Sequence, residues 1–120
     1  MKILYVEDNP QNMRLVRKML DSGGYEMIEA IDGMTGLRMA ESEQPVLILL
    51  DINLPDIDGM EVTARLKSNP TLANIPIVAL TANAMFGDRE RFLEAGCDGY
   101  LAKPVSKTEL LNTLAYFLNR

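Results

Sequence analysis

Val46-Leu-Ile-Leu-Leu50 is an unbroken apolar run, and Asp51 ends it. A strand with one wet face alternates apolar and polar residues. A run without alternation belongs at the centre of a parallel sheet, covered on both faces. Two more runs share the form: Ile3 to Val6 leads into Glu7 and Asp8, and Ile75 to Leu80 leads into Thr81. A shorter stretch, Asp98 to Ala102, leads into Lys103 and Pro104. If these are neighbouring parallel strands, three carboxylates, a hydroxyl and an ammonium meet at one edge of a sheet.

Helical patterns separate the runs. The strand Lys2–Val6 is followed by Asn9-Pro10, a cap and first-turn proline, and then by Met13, Val16, Met19 and Leu20 on one helical face. Gly23-Gly24 stops that helix, Tyr25 to Ala30 reads as a second strand, and Asp32-Gly33 breaks it. A helix is predicted from Met34 or Thr35 to about Ser42, and strand Val46–Leu50 follows. After the loop Leu54–Gly59, where Gly59 is read as a tight turn, a helix spans Met60–Lys67. Strand Ile75–Leu80 precedes a helix over Met85–Ala95, and strand Gly99–Ala102 precedes a helix over Ser106–Phe117. Ser106 and Glu109 stand at capping-box separation. The pattern is βα repeated five times, which predicts an α/β domain with a parallel sheet between two helical layers. Right-handed crossovers then put ligands at the carboxyl ends of the strands, where the polar cluster falls. The 120 residues fit one domain, with no room for a second.

Composition removes several functions. The chain has one cysteine, Cys97, and no histidine or tryptophan. An internal disulfide and a histidine base are therefore excluded, and a structural zinc site is disfavoured. The formal net charge of −5 offers no basic surface for direct nucleic-acid binding. No apolar run is long enough to span or insert in a membrane, and the acids at positions 7 and 8 interrupt any export signal. A cytoplasmic protein is expected. Gly33 and Gly36 lack the third glycine of a dinucleotide fingerprint, and no GxxxxGK[ST] loop occurs.

The edge cluster carries the chemistry. Three crowded carboxylates repel one another unless a cation sits among them. Magnesium takes oxygen ligands and keeps several waters, which suits Glu7, Asp8 and Asp51. Asp51 is the candidate nucleophile, because a carboxylate can attack phosphorus to give an acyl phosphate. Lys103 supplies a mobile point charge for phosphoryl oxygens, and the Thr81 hydroxyl can donate to them. The Tyr100 ring reads equally as core or exposed. The Lys103–Pro104 bond could be cis or trans.

Ile3-Leu-Tyr-Val-Glu-Asp8, Leu49-Leu-Asp-Ile-Asn-Leu-Pro-Asp-Ile-Asp-Gly59, Ile77-Val-Ala-Leu-Thr-Ala82 and Gly99-Tyr-Leu-Ala-Lys-Pro104, in that order, resemble the receiver domain of two-component response regulators. The resemblance covers the whole chain and no family residue is missing. It implies a single receiver domain over residues 1–120, without an output domain. The implied fold is flavodoxin-like (βα)5, with strand order 2-1-3-4-5. It implies Asp51 as phosphoacceptor; Asp8, Asp51 and the Asn53 carbonyl as Mg2+ ligands, with Glu7 acting through water; and Mn2+ as a substitute ion. Lys103 pairs with the phosphoryl group, and Thr81 and Tyr100 are the switch pair. Asn53 and Asn83 are positions that tune phosphoryl loss. Expected partners are a sensor histidine kinase, a histidine phosphotransfer protein and a downstream protein target. A kinase partner could recruit the chain to a membrane or pole. The expected state is mostly monomeric, with phosphorylation-linked dimerisation left open. Such a domain catalyses its own phosphorylation and dephosphorylation, and is a switch rather than a conventional enzyme. Single-domain members of this size resemble cell-cycle or cell-division regulators. Met13 and Phe86 are candidate exposed contacts, with burial the alternative. The competing readings are a metal-dependent phosphohydrolase, a flavin binder and a phosphorylation-independent scaffold.

Overall fold

The computed structural model describes residues 2–82 and 88–118. The elements run β1 (Lys2–Val6), α1 (Pro10–Ser22), β2 (Glu26–Ala30), α2 (Gly33–Glu43), β3 (Leu47–Asp51), α3 (Gly59–Ser68), β4 (Ile77–Thr81), α4 (Asp88–Ala95), β5 (Gly99–Ala102) and α5 (Lys107–Leu118). All four strand pairings are parallel, and the sheet order is β2-β1-β3-β4-β5. This is the expected doubly wound α/β architecture. Among the described residues no helix is long and apolar enough to cross a membrane.

Strand pleating divides the core in two. Ile3, Tyr5, Leu47, Leu49, Val78 and Leu80 point to the layer built by α1 and α5, against Met13, Val16, Leu20, Leu110 and Leu114. Leu4, Val6, Ile48, Leu50, Ile77 and Ala79 point the other way, against Ala40, Val62, Leu66 and Phe92. The central strand therefore feeds both layers, which is why its sequence does not alternate. Met13 belongs to the first layer at 6% exposure, so of its two alternatives, surface contact or burial, burial holds. Phe86 and Asn83 lie outside the described residues.

Several boundaries move for local reasons. The helix α2 starts at Gly33, because the Asp32 carboxylate accepts the Thr35 N–H and caps it. The strand β4 begins at Ile77: Pro76 has no N–H for the ladder, although its carbonyl still accepts from Ile48 N at 2.9 Å. Asp51 and Thr81 are the last residues of their strands rather than the first residues beyond them. Asn9 caps α1 as expected, accepting from the Gln11 and Asn12 N–H groups, and the Ser106 hydroxyl accepts from Glu109 N at 3.1 Å.

Gly59 is needed for a close approach rather than for a turn. A Cβ at this position would lie 2.7 Å from Ile52 Cα and 2.9 Å from the Asp51 carbonyl oxygen. Its absence lets α3 start directly against the end of β3. Gly59→Ala must therefore push the helix away from the Asp51 backbone. We expect a loss of about 1–3 kcal/mol, as for other overpacked cores, read by urea denaturation. An unchanged midpoint would contradict the close-packing role.

Candidate functional site

The four strands that deliver the site, β1, β3, β4 and β5, end side by side. In the parallel register Val6 pairs with Leu50, Asp51 with Leu80, and Thr81 with Ala102. Glu7, Asp51, Thr81 and Lys103 therefore follow or close adjacent strands at the same edge of the sheet. Glu7, Asp51 and Thr81 are buried and Asp8 is exposed. Each of Glu7, Asp8 and Asp51 offers a carboxylate oxygen within 4.8 Å of the other two. A compact all-oxygen set with one exposed member fits a hard divalent cation that retains water. Asn53 is exposed, two residues beyond Asp51, and its N–H reaches Asp51 Oδ1 at 3.3 Å.

Lys103 lies between the two buried carboxylates. Its Nζ is 2.8 Å from Glu7 Oε1 and 3.2 Å from Asp51 Oδ1. The Lys103 N–H also donates to the Thr81 carbonyl at 2.8 Å, which ties the lysine to the end of β4. The Lys103–Pro104 bond is cis. Tyr100 is half-buried and packs on Phe92, with ring centroids 5.5 Å apart.

The unequal lysine distances separate the two carboxylates electrostatically. Burial works against ionising Glu7, but hydrogen bonds from Lys103, Tyr5 and the Asn9 N–H outweigh it and hold the group below the usual range. Burial and the neighbouring Glu7 charge push Asp51 up to about 6, and the more distant lysine offsets only part of this. Burial also opposes the Lys103 charge, yet its bond to Glu7 and the charge on Asp51 raise its pKa.

Sequence reasoning missed two supporting groups. The Tyr5 hydroxyl donates to Glu7 Oε1 at 2.8 Å from inside the core. Two residues apart on one strand is the spacing that shares a face, so the signal was present in Tyr5-Val-Glu7. The other group is Asp56, whose two carboxylate oxygens accept from the Gly33 and Met34 N–H groups at 2.8 and 2.9 Å. Those bonds, Met34's foremost, hold Asp56 below the ordinary carboxylate range. They latch the loop after β3 to the start of α2, and no spacing rule in the sequence marks such a latch.

A five-stranded parallel sheet with buried carboxylates and one lysine at its carboxyl edge defines a phosphoryl-accepting receiver architecture. The family model described as "Response regulator receiver domain" matches residues 3–115, and the chain belongs to that family. It is 42% identical over 116 residues to the polar-differentiation response regulator DivK of Brucella anthropi, covering 97% of this chain and 94% of that protein. The receiver domain of a Pseudomonas aeruginosa sensor histidine kinase, solved with a magnesium ion in its active-site cleft, superposes with a TM-score of 0.92 at 41% identity, over 99% of this chain and 98% of that one. The BeF3-activated N-terminal receiver domain of Klebsiella pneumoniae RstA gives a TM-score of 0.92 at 30% identity, over the full length of both chains. Membership implies phosphorelay signalling with a histidine kinase or a phosphotransfer protein, by self-modification rather than by substrate turnover.

The raised Asp51 pKa has a consequence for stability. The folded chain binds more protons than the unfolded chain between pH 3.8 and about 6, so Asp51 makes the fold less stable as pH rises through that window. Asp51→Asn removes the loss. It should stabilise the metal-free protein by up to about 3 kcal/mol at pH 7, with the gain vanishing near pH 4. Denaturation at the two pH values checks this; equal gains at both would contradict it.

Proposed function

We propose that Asp51 is the phosphoacceptor, taking its phosphoryl group from a phosphohistidine on a sensor histidine kinase or a histidine phosphotransfer protein. The observation that carries the reading is Asp51 itself. It is buried at the end of the central strand, 3.2 Å from Lys103 Nζ, and grouped with two further carboxylates. An Asp51 carboxylate oxygen attacks phosphorus, and the P–N bond breaks with its electron pair leaving on the imidazole. The product is an acyl phosphate. Lys103 moves onto the new phosphoryl oxygens, and the Thr81 hydroxyl turns to donate to them.

Asp8, Asp51 and the Asn53 carbonyl would hold Mg2+, with Glu7 reached through water; Mn2+ suits the same oxygen set. The ion, when bound, neutralises charge on the oxygens of the transferring group. The magnesium in the similar Pseudomonas receiver supports this choice. Asn53 and Asn83, two residues beyond Asp51 and Thr81 in the sequence, would set how fast water removes the phosphoryl group.

Closure of Thr81 opens space that the half-buried Tyr100 ring fills from its seat on Phe92. The shift passes to α4, β5 and α5, where Leu93 and Tyr116 are exposed. That surface would take the downstream protein target, or a second copy in a phosphorylation-linked dimer, while the surface of α1 meets the phosphodonor. Residues 1–120 act as one receiver unit, whose acidic surface suits contact with protein better than with nucleic acid. The relatives, named polar-differentiation response regulators, favour a role in cell polarity, compatible with the cell-division role that the resemblance implies. The location fitting that role is cytoplasmic, with recruitment to a pole or membrane by a kinase.

Incubation with Mg2+ and a phosphoramidate donor, read by intact mass, tests the assignment. Wild type should gain one phosphoryl mass, and Asp51→Asn or metal removal should abolish the gain. Full labelling of Asp51→Asn would sink the assignment. Thr81→Ala should still be labelled but should lose the phosphorylation-dependent change in partner affinity, at least tenfold if that switch is worth about 1.4 kcal/mol or more. Partner binding indifferent to both substitutions would favour a scaffold.

A further inference from the structure

We propose that Tyr5 is a positioning residue for phosphoryl transfer: its buried hydroxyl is the fixed donor that keeps Glu7 in place when Lys103 leaves it for a phosphoryl group. The inference rests on the assignment of Asp51 and Lys103 above, and concerns a residue which that assignment does not use.

Glu7 is almost completely buried, at 1% exposure, so its carboxylate must be met by donors from the protein. Its Oε1 accepts from Tyr5 Oη at 2.8 Å, from Lys103 Nζ at 2.8 Å and, more weakly, from Asn12 Nδ2 at 3.4 Å. Its Oε2 accepts from the Asn9 N–H at 3.2 Å. The two short bonds come from very different groups. Lys103 is a flexible chain with 18% of its side chain exposed, and it is also within 3.2 Å of Asp51. Tyr5 is fully buried in the middle of the sheet, packed in the layer with Val16, Leu80 and Val105. Its ring cannot follow the chemistry, so its hydroxyl stays on Glu7.

A buried carboxylate left with a single strong donor holds on to that donor, because losing it would leave the charge uncompensated. Without the Tyr5 hydroxyl, Glu7 would depend on Lys103, and the lysine would be retained rather than released. With it, Glu7 keeps one short bond throughout, and Lys103 can shift toward Asp51. The spacing supports this division of labour, because residues 5 and 7 of one strand share a face. The donor is thus built into β1, while the mobile cation arrives from the far end of the chain.

Tyr5→Phe removes only the hydroxyl and keeps the ring. In Mg2+ it should slow labelling from a phosphoramidate donor about tenfold and weaken beryllofluoride binding, followed by 19F NMR, by a similar factor. Each reads the loss of one hydrogen bond to a charged group. Tyr5→Leu, which also lacks the hydroxyl, should match it on both readings. In a Glu7→Gln background, Tyr5→Phe should add less than twofold, because the residue acts through Glu7. Three results overturn the proposal: unchanged labelling and beryllofluoride affinity in Tyr5→Phe, an equal penalty in both backgrounds, or a loss in Tyr5→Leu alone, which would make the ring's packing the operative feature. Wild type that takes neither phosphoryl nor beryllofluoride brings down the Asp51 assignment itself, and this role for Tyr5 with it.

Discussion

Two buried carboxylates share one ammonium at the carboxyl edge of the sheet. Lys103 sits 2.8 Å from Glu7 and 3.2 Å from Asp51, so it serves Glu7 better. Glu7 also has Tyr5 and the Asn9 N–H, whereas Asp51 has the longer Asn53 N–H contact at 3.3 Å. The opposite displacements of the two carboxyl groups follow from this inequality. Burying an ion pair does not by itself stabilise a fold, because desolvation consumes most of the attraction. The arrangement instead leaves Asp51 as the carboxylate with the least compensation, which is the condition of a group that gains from acquiring a new partner.

The sheet makes that inequality a matter of position rather than of loop chance. Glu7 continues the α1/α5 face of β1 beyond Tyr5, and Asp51 closes β3 one residue after Leu50 has entered the other core layer. Gly59 lets α3 begin against the Asp51 backbone, and Asp56 ties the intervening loop to the N-terminus of α2. Lys103 is fixed through its own N–H to the Thr81 carbonyl, so its stem is anchored while its head remains free to choose between acceptors. Groups carried on rigid strand ends keep a precision that long loops do not provide.

Much of this was legible in the residues. The apolar run at Val46–Leu50 and the acids or hydroxyl after each run place the site, because burial on both faces of a central strand leaves only its end for polar chemistry. Element ends were less legible. Whether Asp51 and Thr81 belong to their strands depends on ladder partners far away in sequence, and Pro76 delays β4 for want of one N–H. Met13 shares a helical face with Val16 and Leu20, but only the packing of α1 on the sheet decided that it is buried. The Gly59 approach and the Asp56 latch join segments that no local pattern connects. Tyr5 was visible as a strand residue, but its hydroxyl gained meaning only when Lys103 and Glu7 were found on one another.

Charge counting explains why a signal from this site should travel toward β4 and β5. Three carboxylates and one ammonium leave two negative charges, matching one divalent cation. On the proposed assignment, a phosphoryl group on Asp51 would add about −1.5 to −2 in place of the carboxylate charge, so the balanced site would become negative again. New donors must then turn toward it. On the β1 side Glu7 is itself an acceptor already engaging Tyr5, Asn9 and Asn12, and it has no proton to give. Among the described residues, side chains with protons to offer include the Lys103 ammonium and the Thr81 hydroxyl, joined to each other through backbone between β4 and the turn after β5. On the proposed assignment, movement would therefore be drawn to the half of the sheet that carries α4, β5 and α5, while the β1 side would remain a fixed frame.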